Sequence, residues 1–279
     1  MSGAKRLVAL DIDGTVLGED GSLSDVVRDA VRSIVSDAVV VTLATGRSWD
    51  STKPVLDMLG LEPEYVVCAN GALVLKRDPD ESSGYRRHLI ETFDAAEVLE
   101  TIRTNLDDGR YMVELPDGSR KYTEGMDDWN LDNAEQVPFE RLSDEPVLRV
   151  VVVSPDQGEQ EFLESVERMG LHRVAYSIGW TAWLDIAPQG VNKSTALEHV
   201  REALDVARDN VFVAGDGRND IEMFEWAVAG GGTAVAMGQA PDEVVTAANA
   251  RTGTVDEDGL AAALVEHLGA GAPESSVAR

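Results

Sequence analysis

Short apolar runs that end in polar turns recur along the chain. Residues 7–10, 39–43 and 211–213 are runs of this kind. A continuous apolar run bounded by turn residues is typical of a strand buried on both faces of a parallel sheet. Apolar residues return at helical spacing in residues 24–36 and in the segment that follows Lys193. This alternation predicts an α/β fold whose polar turns lie at the carboxyl ends of the strands, where open α/β sheets bind ligands.

The first of these turns, Asp11-Ile12-Asp13-Gly14-Thr15, carries two carboxylates. In an extended segment alternate side chains point the same way, so we expect Asp11 and Asp13 on one side, with Ile12 packed inward. Two carboxylates so close resist ionising together, and Mg²⁺, which prefers carboxylates, water and phosphate oxygens, would resolve the conflict. The pentapeptide alone is also compatible with an ordinary Asp-rich turn in which Gly14 has positive φ.

Three later segments carry groups that suit a phosphate ligand. A hydroxyl, a flexible amide and a guanidinium follow the second apolar run, and a second carboxylate pair follows the third run. Lys193 stands between them at the start of a predicted helix, where its charge would add to a dipole that already favours anions. Taken singly, such a lysine is more often a solvated surface residue. The other polar positions are Thr45, Gly46, Arg47, Asp216, Asn219 and Asp220.

The order of acid pair, Thr45, Lys193 and acid pair resembles the haloacid dehalogenase superfamily of phosphotransferases. Residues 69–72, 190–193 and 234–238 resemble the Cof-type sugar-phosphatase branch of that superfamily. These pieces span residues 5 to 260. Ser194 departs from the branch pattern, in which a glycine often follows the lysine, and so does the triplet Gly230-Gly231-Gly232. No Gly-Lys-Ser/Thr follows the triplet, so it does not match a P-loop.

The resemblance implies a Rossmann-like core with a mainly parallel sheet, an inserted α/β cap of the class IIB type, and Mg²⁺ as cofactor. It implies that Asp11 attacks phosphorus to form an aspartyl phosphate, and that Asp13 acts as general acid and base. Thr45 and Lys193 complete the implied catalytic set. The implied metal residues are Asp11, Asp13 through its backbone carbonyl, Asp216 and, from an outer position, Asp220. The implied phosphate and substrate contacts are Thr45, Gly46, Arg47, Asn70, Lys193 and Asn219.

Motif spacing predicts where a second domain is inserted. After Asn70 about a hundred residues precede Lys193, a common domain size. We therefore expect a catalytic core over residues 1–83 and 185–279 and a cap over residues 84–184. Within the cap, Asp94 and Glu97 predict a capping box at a helix start, and residues 116–119 predict a hairpin turn. Strands are predicted at residues 147–154, 173–177 and 181–186, and a helix at residues 159–169. The side chains of Trp129, Trp180 and Trp183 could either contact the substrate or pack in the cap.

Composition and charge exclude several classes of function. A net charge of -27 argues against binding nucleic-acid backbones, which needs clustered Lys and Arg. The sequence contains no apolar run of the ~20 residues needed to cross a bilayer, and its N-terminus lacks the pattern of a signal peptide. We expect a cytoplasmic protein, monomeric or homodimeric. Cys68 is the only cysteine, and the four histidines lack zinc-ligand spacing.

The function predicted is a Mg²⁺-dependent phosphatase for a small phosphorylated metabolite, with a sugar phosphate as the leading substrate class. A sugar phosphomutase could use the same phosphoaspartate and return the phosphoryl group to the product. A signalling module that retains the phosphoryl group is a further alternative, although it has no use for a cap. A phosphonate-cleaving relative needs a cap lysine that forms a Schiff base, and Lys121 is the sole lysine in the predicted cap.

Overall fold

The chain folds into two compact units in the computed structural model, which describes residues 5–106, 108–125, 131–155, 159–169, 174–178 and 183–270. The first unit comprises residues 1–71, 75–86 and 193–279, and the second comprises residues 72–74 and 87–192. The limits inferred from motif spacing, at residues 84 and 184, stay a prediction.

The first unit is built on a parallel five-stranded sheet. Its strands are β1 (Arg6–Leu10), β2 (Val39–Leu43), β12 (Val211–Gly215), β13 (Thr233–Ala236) and β14 (Ala250–Arg251). They lie in the order β14-β13-β12-β1-β2, and every pair is parallel. Leu7, Val8, Ala9 and Leu10 are fully buried, as expected for a strand that is covered on both faces. The predicted α/β fold and its three apolar strands are confirmed.

Helices alternate with these strands. They are α1 (Asp25–Ile34), α2 (Trp49–Leu59), α5 (Lys193–Ala203), α6 (Ile221–Ala229), α7 (Asp242–Ala247) and α8 (Gly259–Leu268). The Ser24 hydroxyl caps α1 by accepting the Val26 N–H at 3.2 Å, and α5 begins at Lys193 as predicted. A separate three-stranded sheet contains β3 (Tyr65–Cys68), β4 (Leu73–Arg77) and β5 (Tyr85–Ile90).

The second unit contains a six-stranded, mostly antiparallel sheet in the order β10-β11-β9-β6-β7-β8. The strands are β6 (Arg110–Glu114), β7 (Arg120–Tyr122), β8 (Ala134–Gln136), β9 (Arg149–Val153), β10 (Val174–Ile178) and β11 (Trp183–Pro188), and the helices are α3 (Ala96–Asn105) and α4 (Glu159–Met169). One face carries buried Tyr111, Val113, Val150, Val152 and Ile186, which join a single apolar cluster with residues of α3 and α4. The hairpin, the helix at 159–169 and the following strands agree with the sequence pattern.

The opposite face of this sheet carries charge. Buried Arg149 donates to Glu114 at 3.0 Å and to Asp185 at 3.1 Å, and both carboxylates are buried with it. The three residues come from β6, β9 and β11. Because removal of one member of a buried ion pair leaves an unpaired charge, this network tolerates single substitutions poorly.

One detail of the second unit differs from the sequence prediction. The capping box is wrong, since α3 has Ala95 at its N-cap position, which makes Val98 and not Glu97 the third helical residue. Asp94 lies one residue before the N-cap, where its carboxylate accepts the Ala96 N–H at 2.9 Å. Trp183 packs against buried Met112, Val151 and Val153, which is the packing role that the sequence analysis offers for it. Trp129 and Trp180 lie outside the described residues.

Helix α5 is held against α6 by a charged network at Glu198. The carboxylate accepts from Arg201 at 2.9 Å, from Arg208 at 2.7 Å and from the Trp226 indole at 2.9 Å. The Arg201 hydrogen bond, helped by Arg208 and Trp226, lowers the pKa of Glu198 to about 2. This pKa lies below the value of 4.5 for a free glutamate. The network therefore stabilises the fold fully at pH values above 4.5, and this contribution is lost as the pH falls toward 2.

Replacing Glu198 by glutamine is therefore expected to lower the free energy of unfolding at neutral pH by about 1 kcal/mol, after allowance for partial exposure. The difference from wild type should shrink as the pH is lowered to about 2, because the wild-type carboxylate is increasingly protonated between pH 4.5 and 2. Urea unfolding at the two pH values measures this. Glu202→Gln, at a neighbouring exposed position, is the matched control, and an equal effect there would show that the Glu198 contacts do not matter.

None of the helices in the described part of the chain is long and apolar enough to cross a bilayer.

Candidate active site

Polar turns from three neighbouring strands meet at the carboxyl edge of the five-stranded sheet. Strand β1 lies between β12 and β2, with Leu10 paired to Ala214 on one side and to Leu43 on the other. The residue that follows β1, Asp11, donates its N–H to the Ala214 carbonyl at 3.0 Å. The parallel register therefore brings together side chains that follow these strands, as the sequence predicts.

Lys193 is the centre of this cluster. Its Nζ donates to Asp11 Oδ1 at 2.6 Å and to Asp220 Oδ1 at 2.7 Å, and the ammonium group is fully buried. Burial opposes the charge, but Asp11 and Asp220 more than offset it and raise the pKa of Lys193. The lysine thus stays protonated between two carboxylates. Its place at the start of α5 aligns the ammonium with the positive end of that helix.

The carboxylates of the cluster are buried as well. Burial raises the pKa of Asp11 well above its ordinary value, while Lys193 opposes the rise and Asp220 adds to it. Burial also raises the pKa of Asp216 to about 7, and the charge of Asp220 adds to the effect. These shifts show that one ammonium does not balance the acidic groups around it.

Asp220 is held by hydrogen bonds at both oxygens. Its Oδ1 accepts from Lys193, and its Oδ2 accepts the N–H groups of Asp216 and Gly217, each at 3.0 Å. This carboxylate also lies where a side chain on Gly215 would be, since a Cβ there would approach Oδ2 to 2.3 Å. Glycine at position 215 is therefore a requirement of the close approach of Asp220 to the end of β12.

Gly215→Ala is expected to push Asp220 off Lys193 and to lower the free energy of unfolding by about 2 kcal/mol or more, because overpacking and a broken buried pair add together. Activity should fall with it, since the ammonium loses one of its two anchors. Urea unfolding and turnover assays measure both effects. Gly18→Ala is the control, because Gly18 does not have a positive φ and a Cβ there would come within 3.2 Å only of the exposed, movable Asp20 side chain; equal losses in both variants would contradict the assignment.

The donor set fits a hard divalent cation. Asp11, Asp216 and Asp220 each offer one carboxylate oxygen, and these oxygens lie within 4.8 Å of one another. Three buried carboxylates facing one buried ammonium leave an excess of negative charge, which a divalent ion would neutralise. Oxygen-only donors favour Mg²⁺, Ca²⁺ or Mn²⁺ over zinc or copper.

Asp13 lies beside this cluster and is paired with Arg47. The guanidinium donates to both carboxylate oxygens of Asp13, with its Nε at 3.0 Å from Oδ2. The Asp13 side chain is 60% exposed and that of Arg47 is 28% exposed, so the pair is accessible to solvent. Thr45 is fully buried, and its hydroxyl accepts the Arg47 N–H at 3.1 Å. The turn after β2 thereby positions a hydroxyl and a guanidinium together.

Asn70 reaches the site through an uncommon backbone conformation. Ala69 and Asn70 have φ of 49° and 51°, and Gly71 follows with φ of 98°. Positive φ at a non-glycine residue is strained, and such strain tends to occur at functional sites. Here it brings the Asn70 side-chain oxygen to within 2.9 Å of the donating Asn219 amide, close to Gly46. The structure thus groups Gly46, Asn70 and Asn219.

One contact of the acid cluster is not predicted by the sequence analysis. Gln239 follows β13 and donates to Asp216 Oδ2 at 3.0 Å. The only sequence signal for it is its place in a turn after a buried strand at the same edge of the sheet.

The family model described as haloacid dehalogenase-like hydrolase matches residues 8–264, which include every member of this cluster. The chain belongs to this family. The expected superfamily membership is therefore confirmed.

Similar proteins extend over nearly the whole hydrolase. A 5-amino-6-(5-phospho-D-ribitylamino)uracil phosphatase of Bacillus subtilis is 28% identical over 271 residues, covering 94% of this chain and 97% of its own. A haloacid dehalogenase-like hydrolase from Bacteroides thetaiotaomicron superposes with a TM-score of 0.73 at 23% identity, covering 94% and 99% of the two chains. A subclass IIB sugar phosphatase superposes with a TM-score of 0.75 at 19% identity, covering 95% and 99%. The likeness to these structures shows a shared fold.

Proposed function

We propose that this hydrolase is a Mg²⁺-dependent phosphatase that cleaves small phosphomonoesters, chiefly sugar or sugar-alcohol phosphates, through an aspartyl-phosphate intermediate. The observation that carries the proposal is the buried Asp11–Lys193–Asp220 arrangement with Asp216 beside it. Phosphoryl transfer depends on positioning and charge neutralisation. This edge of the sheet offers what the reaction requires, namely a carboxylate nucleophile, an ammonium group and a cation site.

The first half-reaction transfers the phosphoryl group to the protein. An oxygen of Asp11 attacks phosphorus in line, a new O–P bond forms, and the bond from phosphorus to the alcohol oxygen breaks. Asp13 gives its proton to the departing alcohol. Lys193 and the Thr45 hydroxyl stabilise the charge on the phosphoryl oxygens.

The second half-reaction restores the enzyme. Asp13 now takes a proton from water, the water oxygen attacks phosphorus, and the bond to Asp11 breaks to release inorganic phosphate. The same carboxyl serves as acid and then as base, so it ends the cycle protonated and ready for the next substrate. Arg47, which lies on Asp13, would keep that side chain directed toward the reacting group, and Gly46, Asn70 and Asn219 would contact the substrate.

The residues that would hold the cation are Asp11, Asp216 and the backbone carbonyl of Asp13. Asp220 would help to orient them, because its carboxylate accepts hydrogen bonds from Lys193 and from the N–H groups of Asp216 and Gly217. When bound, Mg²⁺ neutralises charge on the phosphoryl oxygens and on the attacking carboxylate.

The substrate class is inferred from the relatives and from the second compact unit. Three of the similar Bacillus subtilis proteins are named as phosphatases of 5-amino-6-(5-phospho-D-ribitylamino)uracil, a phosphorylated sugar-alcohol derivative. We propose that residues 84–184 form a cap domain that selects the leaving group. A sugar or sugar-alcohol phosphate is compatible with both inferences.

A panel of phosphate esters tests the proposal. Purified protein is assayed for phosphate release from sugar phosphates, sugar-alcohol phosphates, nucleotides and the uracil derivative, with Mg²⁺ or with excess chelator. We expect steady turnover on a subset of the sugar-type esters and its loss in chelator. Full velocity in chelator would contradict the proposal. Conversion of a bisphosphorylated sugar into an isomer without phosphate release would identify a mutase instead.

Asp13→Asn separates acid–base chemistry from cation binding. Since the proposed ligand at this position is the backbone carbonyl, Mg²⁺ affinity should stay within about twofold while turnover of sugar phosphates falls about 100-fold or more, the usual contribution of a general acid. Esters with good leaving groups, such as a nitrophenyl phosphate, should lose less. An Asp13→Asn protein that hydrolyses sugar phosphates normally would show that another group supplies the proton.

A further inference from the structure

Gln239 joins three segments of the first compact unit through a single side-chain amide. Its Nε2 donates to the Gly14 carbonyl at 2.5 Å and to Asp216 Oδ2 at 3.0 Å, and its Oε1 accepts the Val255 N–H at 3.1 Å. Both amino hydrogens and the carbonyl therefore have partners. The amide spans the ends of β1, β12 and β13, although Gln239 and Gly14 are 225 residues apart in sequence.

The direction of this amide is fixed by its partners. Gly14 O and Asp216 Oδ2 are both acceptors, whereas the Val255 N–H is a donor. A flipped amide would place its carbonyl against two acceptors and its amino group against a donor, which would leave all three partners unsatisfied. The Val255 N–H thus orients the amino group of Gln239 toward the acid cluster.

Gln239 relieves a repulsion between two oxygens. Gly14 has φ of 70°, and a Cβ there would lie 2.0 Å from Asp216 Oδ2, so the carboxylate rests directly on the Gly14 backbone. The Gly14 carbonyl and Asp216 Oδ2 both carry negative charge, and one donor nitrogen placed between them compensates both.

The donor is neutral, which matters for a cation site. A lysine in its place would cancel the charge of Asp216, whereas an amide orients the carboxylate and leaves the charge available. Among the residues that the structure describes, the second oxygen of Asp216 accepts no hydrogen bond. Gln239 therefore engages one oxygen and leaves the other for an ion.

We propose that Gln239 is a positioning residue that holds Asp216 and the carbonyl of Gly14, next to the peptide that contains the Asp13 carbonyl, in the geometry that binds Mg²⁺. The Gly14 N–H donates to the Leu17 carbonyl at 2.9 Å, so the peptides on both sides of Gly14 are held, including the one whose carbonyl belongs to Asp13. Partners of this outer kind set ligand orientation and influence metal affinity as strongly as some ligands do. The inference rests on the proposed function for the role of the ion.

Gln239→Met tests it, because methionine has similar length and volume but no donor. Mg²⁺ binding is measured by titration calorimetry without substrate, and we expect the dissociation constant to rise about 10-fold to 100-fold. Turnover at low Mg²⁺ should fall, and raising Mg²⁺ should restore it, with the KM for substrate at saturating Mg²⁺ unchanged within about twofold.

Asn249→Leu is the matched control. The Asn249 amide also joins backbone groups in the same unit, accepting the Ala234 N–H at 2.8 Å and donating to the Gly232 carbonyl at 2.9 Å, yet neither bond touches a carboxylate. We expect this variant to lose stability but keep wild-type Mg²⁺ affinity. Equal weakening of Mg²⁺ binding in both variants would overturn the proposal, since it would reflect general loosening of the fold.

Val255→Pro provides a second variant that leaves Gln239 in place. It removes the N–H that orients the amide, and proline suits this first position of a helical turn because Thr254 has φ of -70° and ψ of 167°. Mg²⁺ affinity should fall by less than in Gln239→Met.

Wild-type affinity in both Gln239→Met and Val255→Pro overturns the positioning role. Tight Mg²⁺ binding by the wild type without phosphatase activity would instead overturn the proposed function, and no Mg²⁺ binding by the wild type would overturn both.

Discussion

Replacing Lys193 by methionine is expected to destabilise the fold by about 3 kcal/mol and to reduce turnover about 1000-fold. The stability loss follows because Asp11 and Asp220 share one buried ammonium, and its removal leaves two buried carboxylates without a partner. The rate loss follows because the same ammonium would stabilise the phosphoryl oxygens in the transition state. Urea unfolding measures the first effect, and phosphate release at saturating substrate and Mg²⁺ measures the second.

Lys53→Met is the matched control for this variant. Lys53 lies on α2 and pairs with Asp57 four residues later, with both side chains partly exposed. Such helix pairs contribute about 0.3–0.5 kcal/mol, and this one is not part of the acid cluster. If both substitutions cost the same stability and activity, then the burial of Lys193 between carboxylates has no energetic consequence, and its assignment to the site is wrong.

Asp11→Asn is expected to reduce turnover by about four orders of magnitude or more, the scale seen when a nucleophile is removed. Stability should change much less than in Lys193→Met, because Lys193 keeps Asp220 as a partner and the buried Asp11 charge is itself opposed by desolvation. Rapid acid quench with radiolabelled substrate should trap a phosphorylated wild-type protein and no phosphorylated variant.

Asp209→Asn, at an exposed position of the first unit, is the control for the chemical change alone and should keep wild-type rates. Two results would contradict the nucleophile assignment. The first is an Asp11→Asn protein that retains more than about 1% of wild-type turnover, since loss of a nucleophile has a larger effect. The second is a variant that still traps acid-stable phosphate at the wild-type level.

Much of the fold follows from local pattern. The strands β1, β2 and β12 are continuous apolar runs, and α4 spans Glu159–Met169 as predicted, because hydrophobic periodicity reports which residues face a core. Strand β8 contains only Ala134, Glu135 and Gln136. It has no apolar alternation to reveal it, and its existence depends on pairing with β7.

The candidate site divides in the same way. The carboxylates, Thr45 and Lys193 could be proposed from the sequence because each follows a predicted strand or starts a predicted helix, and parallel strands bring their carboxyl ends together. Three other features could not be proposed from the sequence. They are the Arg47–Asp13 pair, the left-handed backbone at Ala69 and Asn70, and the contacts of the Gln239 amide. Each depends on tertiary contacts or on strain at a residue type that gives no local signal, whereas glycine at positions 14 and 71 at least permits positive φ.

The ion pair between Lys193 and Asp11 joins residues 182 positions apart, and the whole second unit is encoded between them. During synthesis the ribosome therefore finishes the inserted unit before it makes the lysine. A nascent chain at that stage holds the strand and the acidic turn that begin the core but lacks the cation that makes their burial favourable. We therefore expect the carboxylates at the start of the chain to remain in water until its last third is made, so that the core and the reactive centre form together, late in synthesis.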